Sequence, residues 1–431
     1  MVDTNVPAVP AIVPEIEQTL PILVPSALTV SSGRRVLVAL GFGTFVAALV
    51  FVVPTPFFPQ MARDLQVSVP LLGQVMTVML LLSALFGLVV GPLSDRSGHR
   101  LLILVGLVAA AVCLLDFGLA PTFPALVLAS VAGAVTTAAV LGPSFAIAST
   151  AFAGTAARRA VGWTSAAEAG SAIVGVPVLA AIGTAAGWRV AFVVVGLAAL
   201  AVTALAFFWL PRDRHRAAEP LRLHAIVAPY RPLLCNGTMR RLLGATTVGA
   251  VCWMGLLTYL GAFLAEALGM DTGQVGLVYM IAGTGYFLGS LAVGGPLARI
   301  PARTLVIVGY AATALLIAVA LSARLGAVGS AVLITGAALA MGLEVVGMIA
   351  LLTAETSSGS GTTLTLNASL FNFGAAGGGA IGGLLLAVAG YDALAIGLPL
   401  FGLAAALLSW RPAPVHTDGA PREDKRNGQR A

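Results

Sequence analysis

Glu168 and Glu344 are the two side chains in this sequence best placed to carry a proton. Each stands well inside a long apolar run. An ionisable group held in hydrocarbon costs about 2.5–3.5 kcal/mol on insertion scales, so it is a functional candidate by default. At the helical rise, Glu168 lies about 10 Å into its run and Glu344 about 12 Å from the end of its own. A carboxyl at that depth can be charged in one state and discharged by a proton in another, which is coupling chemistry. The plainer alternative is a structural acid bonded to a neighbouring serine or threonine hydroxyl. Asp116, near the end of its run, reads as interfacial, and Glu266 and Asp271 read as solvated. Covalent chemistry has no comparable candidates. The three cysteines, Cys113, Cys235 and Cys252, show no metal or disulfide spacing, and the four histidines fall in loops or the tail. No catalytic residue, metal ligand or cofactor site is expected, and no phosphate-binding loop, since the glycine run 374–383 lacks the lysine and serine that it needs.

A second group of residues suits binding of a small amphipathic solute. A pocket for such a molecule needs apolar walls and a few placed polar groups. Trp253 and Tyr259 in one apolar run, and Asn367, Asn372 and Phe373 in another, offer stacking surfaces and hydrogen bonds. Tryptophan and tyrosine also form interfacial belts, and asparagine also joins membrane helices, so each of the five has a structural reading as well.

The elements that must hold these residues are membrane helices. Hydrophobic residues make up 59% of the 431 and charged ones 9%, far below the quarter usual for soluble domains. The mean hydropathy is +1.00. About 20 apolar residues are needed to cross the hydrocarbon. That ruler predicts twelve spans near 36–57, 70–92, 101–119, 123–148, 161–184, 190–210, 242–265, 273–297, 303–322, 326–352, 363–388 and 393–410. The fold class is therefore all-α integral membrane protein. With both termini in the cytoplasm, 20 of the 23 basic residues fall inside and only Arg63, Arg189 and Arg324 outside. The positive-inside rule demands such an asymmetry. The net charge of +6 is spread over short loops, so it points to orientation and not to nucleic acid.

The chain divides almost in half at its longest polar stretch. Residues 1–33 read as a disordered cytoplasmic tail without the basic region and cleavage site of a signal peptide. Residues 34–210 form a first six-helix bundle, 211–241 a cytoplasmic linker, 242–411 a second bundle, and 412–431 a second cytoplasmic tail. The bundles echo each other. Arg34-Arg35-Val-Leu answers Arg240-Arg241-Leu-Leu, Gly73-Gln74-Val75 answers Gly273-Gln274-Val275, and Gly187-Trp188 answers Gly390-Tyr391. In register at corresponding helix ends, these matches predict a duplicated unit.

Between the second and third spans lies Gly91-Pro-Leu-Ser-Asp-Arg-Ser-Gly-His-Arg100, a dense knot of charge bounded by glycine. The pattern Gly91, Asp95, Arg96, Gly98, Arg100 resembles the signature loop of the major facilitator superfamily of secondary transporters. That resemblance implies two pseudo-symmetric six-helix bundles with a site between them. It also implies a latch, with Asp95 pairing with Arg158 or Arg159 and facing the positive N-terminal end of the eleventh helix. The second-half counterpart, Gly295-Pro-Leu-Ala-Arg299, lacks the aspartate. In the fifth span, Gly170, Gly175 and Pro177 predict a kink and a close neighbour. With Gly187-Trp188-Arg189-Val-Ala-Phe192 they look like the twelve-helix drug:proton antiporter branch, and within it like sugar, nucleoside and chloramphenicol efflux permeases. One element departs from that branch. Where antiporters usually carry Arg-x-x-x-Gly in the fourth helix, this chain has Ala129-Ser-Val-Ala-Gly133. The resemblance implies a non-enzymatic, proton-coupled exporter of a drug, sugar, nucleoside or metabolite. It would sit as a monomer in a bacterial plasma membrane, with lipid, protons and the solute as its partners. A facilitator or proton-linked importer is the alternative, and a transporter-like receptor or scaffold a more remote one.

Overall fold

The computed structural model describes residues 30–152, 154–212, 228–356 and 360–410. Every long element is a helix. The first half contains α1 (Val30–Val52), α2 (Val69–Ser97), α3 (His99–Leu119), α4 (Phe123–Thr150), α5 and α6 (Trp188–Trp209). Helix α5 runs from Gly154–Gly170 through a wide π-turn at Ser171–Gly175 into Val176–Ala186. The second half contains α7 (Gly237–Leu268), α8 (Thr272–Gly294), α9 (Ala302–Ala323) and α10 (Gly326–Glu355). A last helical stretch, Ser360–Trp410, breaks at Ala389 and Gly390, where φ is −143° and +68°. The break separates α11 (360–388) from α12 (391–410), so the eleven described helical stretches long and apolar enough to cross a membrane resolve into twelve helices, the number that hydropathy predicts.

Local chemistry sets the ends. Proline opens α2 and α4 in their first turn, where its missing N–H costs nothing. Asn236 caps α7 by accepting from the N–H groups of Thr238 and Met239. Asp271 and Gln274 cap α8 reciprocally. Gly98 and Gly187, with φ of +86° and +87°, turn the chain where a side chain would be strained. Gly187 and Gly390 occupy corresponding positions before α6 and α12, an imprint of the duplication on the backbone.

The sequence reading and the structure part company at the end of α1. The span expected over 36–57 takes in residues 53–57, yet the helix stops at Val52 and Thr55–Phe57 form a short 3-10 turn opened by Pro54. Phe57 and Phe58 are fully buried. Hydropathy detects that these side chains avoid water, and they do so in protein instead of in lipid.

Two six-helix bundles result, with small residues at the seams. In the second bundle, a Cβ on Gly285 would lie 2.7 Å from the Thr335 carbonyl oxygen, so α8 and α10 meet backbone to backbone. Close approach of this kind is how membrane helices gain packing without a hydrophobic driving force. Across the seam, α2 runs beside α11 and α5 beside α8.

Candidate functional site

The bundles meet along a line that has two different ends. At the end carrying Gly187, the turn after α1 presses into the second half. The Thr55 hydroxyl bonds the Tyr279 hydroxyl at 2.9 Å, and Tyr279 Oη also donates to the Leu257 carbonyl at 3.1 Å. Gln60 Nε2 donates to Thr272 Oγ1 at 2.6 Å. Gly261 leaves room for the Thr55 carbonyl oxygen and Pro56 Cα, which would stand 2.6 and 2.7 Å from a Cβ there. Below this plug, Phe51, Thr55, Met76, Leu80, Met254 and Tyr279 surround a small gap between α1, α2, α7 and α8. At the other end, which carries Gly98, the tips of α4 and α10 expose Ser149, Thr150, Ile349 and Ala350. Among the described residues, no hydrogen bond or ion pair joins α4 to α10.

The five solute-binding candidates do not form one cluster. Tyr259 is fully buried. Its hydroxyl donates to the Gly379 carbonyl at 2.7 Å, and its ring lies against Gly73, so it ties α7 to both α11 and α2. Asn372 Nδ2 donates across the halves to Ser83 Oγ at 3.2 Å. Asn367 Oδ1 accepts from Thr246 Oγ1 at 2.9 Å, inside the second half. Trp253 is buried at 7% exposure, whereas Phe373 is 53% exposed. Asn372 and Tyr259 thus hold the seam together, and Asn367 joins α7 to α11.

The two acids differ. Glu168 is half-buried on α5, directly before the π-turn. One turn further on, Ala172 and Ile173 pack against Gly283 of α8, which puts Glu168 on the seam. Glu344 is 3% exposed and sits deep in the second bundle. A Cβ on Gly309 would fall 2.6 Å from Glu344 Cβ, so α9 and α10 touch at this level. Tyr310, next to Gly309, brings a hydroxyl-bearing side chain to this level of α9. Even so, neither Tyr310 Oη nor Glu344 Oε2 meets a partner in hydrogen-bond geometry. Tyr286 of α8 is within electrostatic reach of both acids. Buried polar atoms left in this condition cost about 1–3 kcal/mol each. Tyr310 and Tyr286 are the residues of this region that sequence reading passes over. A tyrosine in a uniformly apolar helix gives no sign of which neighbour it meets. The adjoining glycine, Gly309, is the one available signal of a close crossing.

The 91–100 turn is only partly described. Gly91 lies 3.5 Å, measured from a built Cβ, from a methyl of Thr365 on α11. Arg100 donates to the Phe207 carbonyl at 2.5 Å and stacks over the Phe207 ring at 5.3 Å. The side chains of Asp95, Arg96 and Arg158, on which a latch would rest, lie outside the described residues. In α5, the π-turn falls between Gly170 and Pro177 and ends at Gly175. A Cβ on Gly175 would stand 3.2 Å from the Phe45 ring of α1, so the widened turn lies where α1 crosses. Pro177 enters the helix again in its first turn, and its α-carbon lies beside Gly276 of α8.

Comparison with known proteins gives the architecture a family. The description "Major Facilitator Superfamily" matches residues 40–359. Among solved structures, the chain is similar to a bacterial homolog of the human lysosomal transporter Spinster, in its inward-facing and unoccupied conformation. That match has 17% identity and a TM-score of 0.68, over 88% of this chain and 95% of that one. The same homolog in its inward-facing and occupied conformation matches with 18% identity and a TM-score of 0.68, over 87% of this chain and 94% of that one. No curated protein sequence matches. The likeness to the solved structures carries the fold. The family match, running from within α1 to the end of α10 and including the turn between α2 and α3, carries the membership: this chain belongs to the Major Facilitator Superfamily of transporters.

Proposed function

We propose that this protein exports a small organic molecule across a bacterial plasma membrane in exchange for protons, as a member of the drug:proton antiporter branch. Both termini, the Gly98 turn and the exposed tips of α4 and α10 then face the cytoplasm. The Thr55–Tyr279 plug faces outward, and the described state is closed to the outside. The observation that carries the reading is the placement of the two acids. Glu344 is enclosed by helices of one half, and Glu168 stands at the seam with the other, with Tyr286 in reach of both. No lysine, arginine or histidine lies at comparable depth in any span. A proton on either acid removes a charge that the surroundings cannot solvate. Protonation then favours one packing of the halves and release favours the other, while the solute biases the same equilibrium. The absence of the helix-4 arginine leaves the acids as the coupling groups.

Reconstitution in proteoliposomes with an imposed pH gradient tests this. Solute accumulation should follow the gradient in the native protein and be lost in the Glu168→Gln, Glu344→Gln double variant, with counterflow of solute retained. Gradient-driven accumulation that persists in the double variant would remove the proposed carriers. Equilibration of solute without any response to the gradient would make the protein a facilitator.

A further inference from the structure

In the proposed orientation three arginines fall on the outer side, and two of them have structural tasks. Arg189 stacks on the Trp188 ring and donates to the Ala120 carbonyl at 2.7 Å, and Arg324 pairs with Asp392 at 2.8 Å. The third, Arg63, is exposed in the last turn of the short helix Phe58–Leu65. Among the described residues its guanidinium enters no ion pair. The acid beside it, Asp64, accepts from the Trp188 indole instead. Arg63 lines a cavity of about 370 Å³ that opens to the aqueous side beyond the Thr55–Tyr279 plug.

Both halves build this cavity. The first supplies Gln60 and Arg63, the second Asp271 and Thr272, and apolar wall comes from residues such as Pro59 and Val275. Charge therefore enters from opposite halves, cationic from one and anionic from the other, and among the described residues no ion pair joins the two. Asp271 commits Oδ1 to the Gln274 N–H as the cap of α8, which leaves Oδ2 to accept from another donor. Gln60 Nε2 donates to Thr272 Oγ1 at 2.6 Å. That bond leaves Gln60 Oε1 as an acceptor and the Thr272 hydroxyl proton as a donor. An anion alone would satisfy Arg63 and meet repulsion from Asp271, and a cation alone would do the reverse. A solute with both charges and an apolar body matches both groups and the walls. The volume suits one small molecule, since ligand pockets begin near about 300 Å³.

We propose that this outer vestibule is a second solute site, distinct from the space beneath the plug, and that it takes a small zwitterion with an apolar side chain. The carboxylate of the solute accepts from Arg63, and its ammonium donates to Asp271 and Gln60. A solute held in this way joins the two halves at this end, so it favours the state in which this end is shut. The outward placement of the site rests on the proposed orientation; the binding does not.

The test needs no proton gradient, so it succeeds or fails independently of antiport. The full-length protein in detergent is titrated calorimetrically with L-phenylalanine as the zwitterion. Hydrocinnamate offers the same body with the carboxylate alone, and phenethylamine the same body with the ammonium alone. L-phenylalanine should bind saturably, and each of the others at least about tenfold more weakly, the loss of one charge-assisted contact. Arg63→Gln and Asp271→Asn should each weaken L-phenylalanine by a similar factor at an unchanged melting temperature. Asparagine caps a helix as well as aspartate does, so Asp271→Asn removes the charge and keeps the cap. The ligand series on the native protein decides the matter even where a variant folds poorly. No saturable L-phenylalanine binding to the native protein would reduce the cavity to a solvent cleft and overturn the site. Native affinity in either folded variant would overturn it too, by placing the binding elsewhere. Hydrocinnamate or phenethylamine binding as tightly as L-phenylalanine would overturn the zwitterion and leave a site for a single charge.

Discussion

Trp188 and Arg189 show how a residue read as a family mark acquires a physical task. Trp188 is almost fully buried, and its indole N–H donates to Asp64 Oδ2 at 2.7 Å. Arg189 stacks on the Trp188 ring at 4.4 Å and donates to the Ala120 carbonyl at 2.7 Å. Phe192, one turn on, packs with Phe57, Phe117 and Trp188. The Gly-Trp-Arg-x-x-Phe run thus ties together the ends of α3 and α6 nearest Gly187 and the segment between α1 and α2. A hydrogen bond to a charged group contributes about 1.5–3 kcal/mol. Trp188→Phe, which keeps the ring and loses the donor, should lower the melting temperature of the purified protein by a few degrees while transport persists. An unchanged melting curve would remove the bond from the account. At this scale the sequence was informative about rarity and silent about partners. Glu168 and Glu344 stand out because acids are scarce in apolar runs. Tyr310 does not, because an ordinary residue meets a buried acid only where the helices cross.

Among elements, the two most consequential are the turn after α1 and the π-turn of α5, and both are irregular. Hydropathy placed the twelve spans because each is long enough to cross the hydrocarbon. It merged the buried turn 53–57 into the first span, since Val53, Phe57 and Phe58 are apolar for reasons of packing. It gave no notice of the π-turn at Ser171–Gly175, although Gly170, Gly175 and Pro177 mark where α5 departs from regular geometry. The turn after α1 is held by backbone contact with α7 at Gly261, and backbone cannot retreat as a flexible side chain does. Gly261→Ala should therefore push the plug away from α7 and favour the outward-open state. In a background with Cys235→Ser, a cysteine placed at Gln60 should react several-fold faster with a membrane-impermeant maleimide when Gly261→Ala is present. Equal rates would show that the contact does not hold the plug shut.

For the molecule as a whole, the duplication visible as scattered matches in the sequence becomes two bundles that meet along α2 with α11 and α5 with α8. Glycine and serine line much of that seam. Gly87 faces Ser369, Gly379 faces Thr77 and Gly276 faces Ala180, so the halves can rock without large side chains to displace. Which solute fits between them is not legible in the sequence, because cavity walls are made of the same apolar residues that face lipid elsewhere. The central claim is that the two ends of the seam open in alternation under control of the proton. Spin labels at Ser149 and Ile349 report the Gly98 end, and labels at Arg63 and Ala267 report the opposite end. Pulsed electron–electron distance measurements on the two pairs, at acidic and at alkaline pH, test it most directly. The account predicts that one distance shortens as the other lengthens between the two conditions, and that Glu168→Gln with Glu344→Gln abolishes the response. Distances that change together, or not at all, between those conditions in the native protein would contradict it.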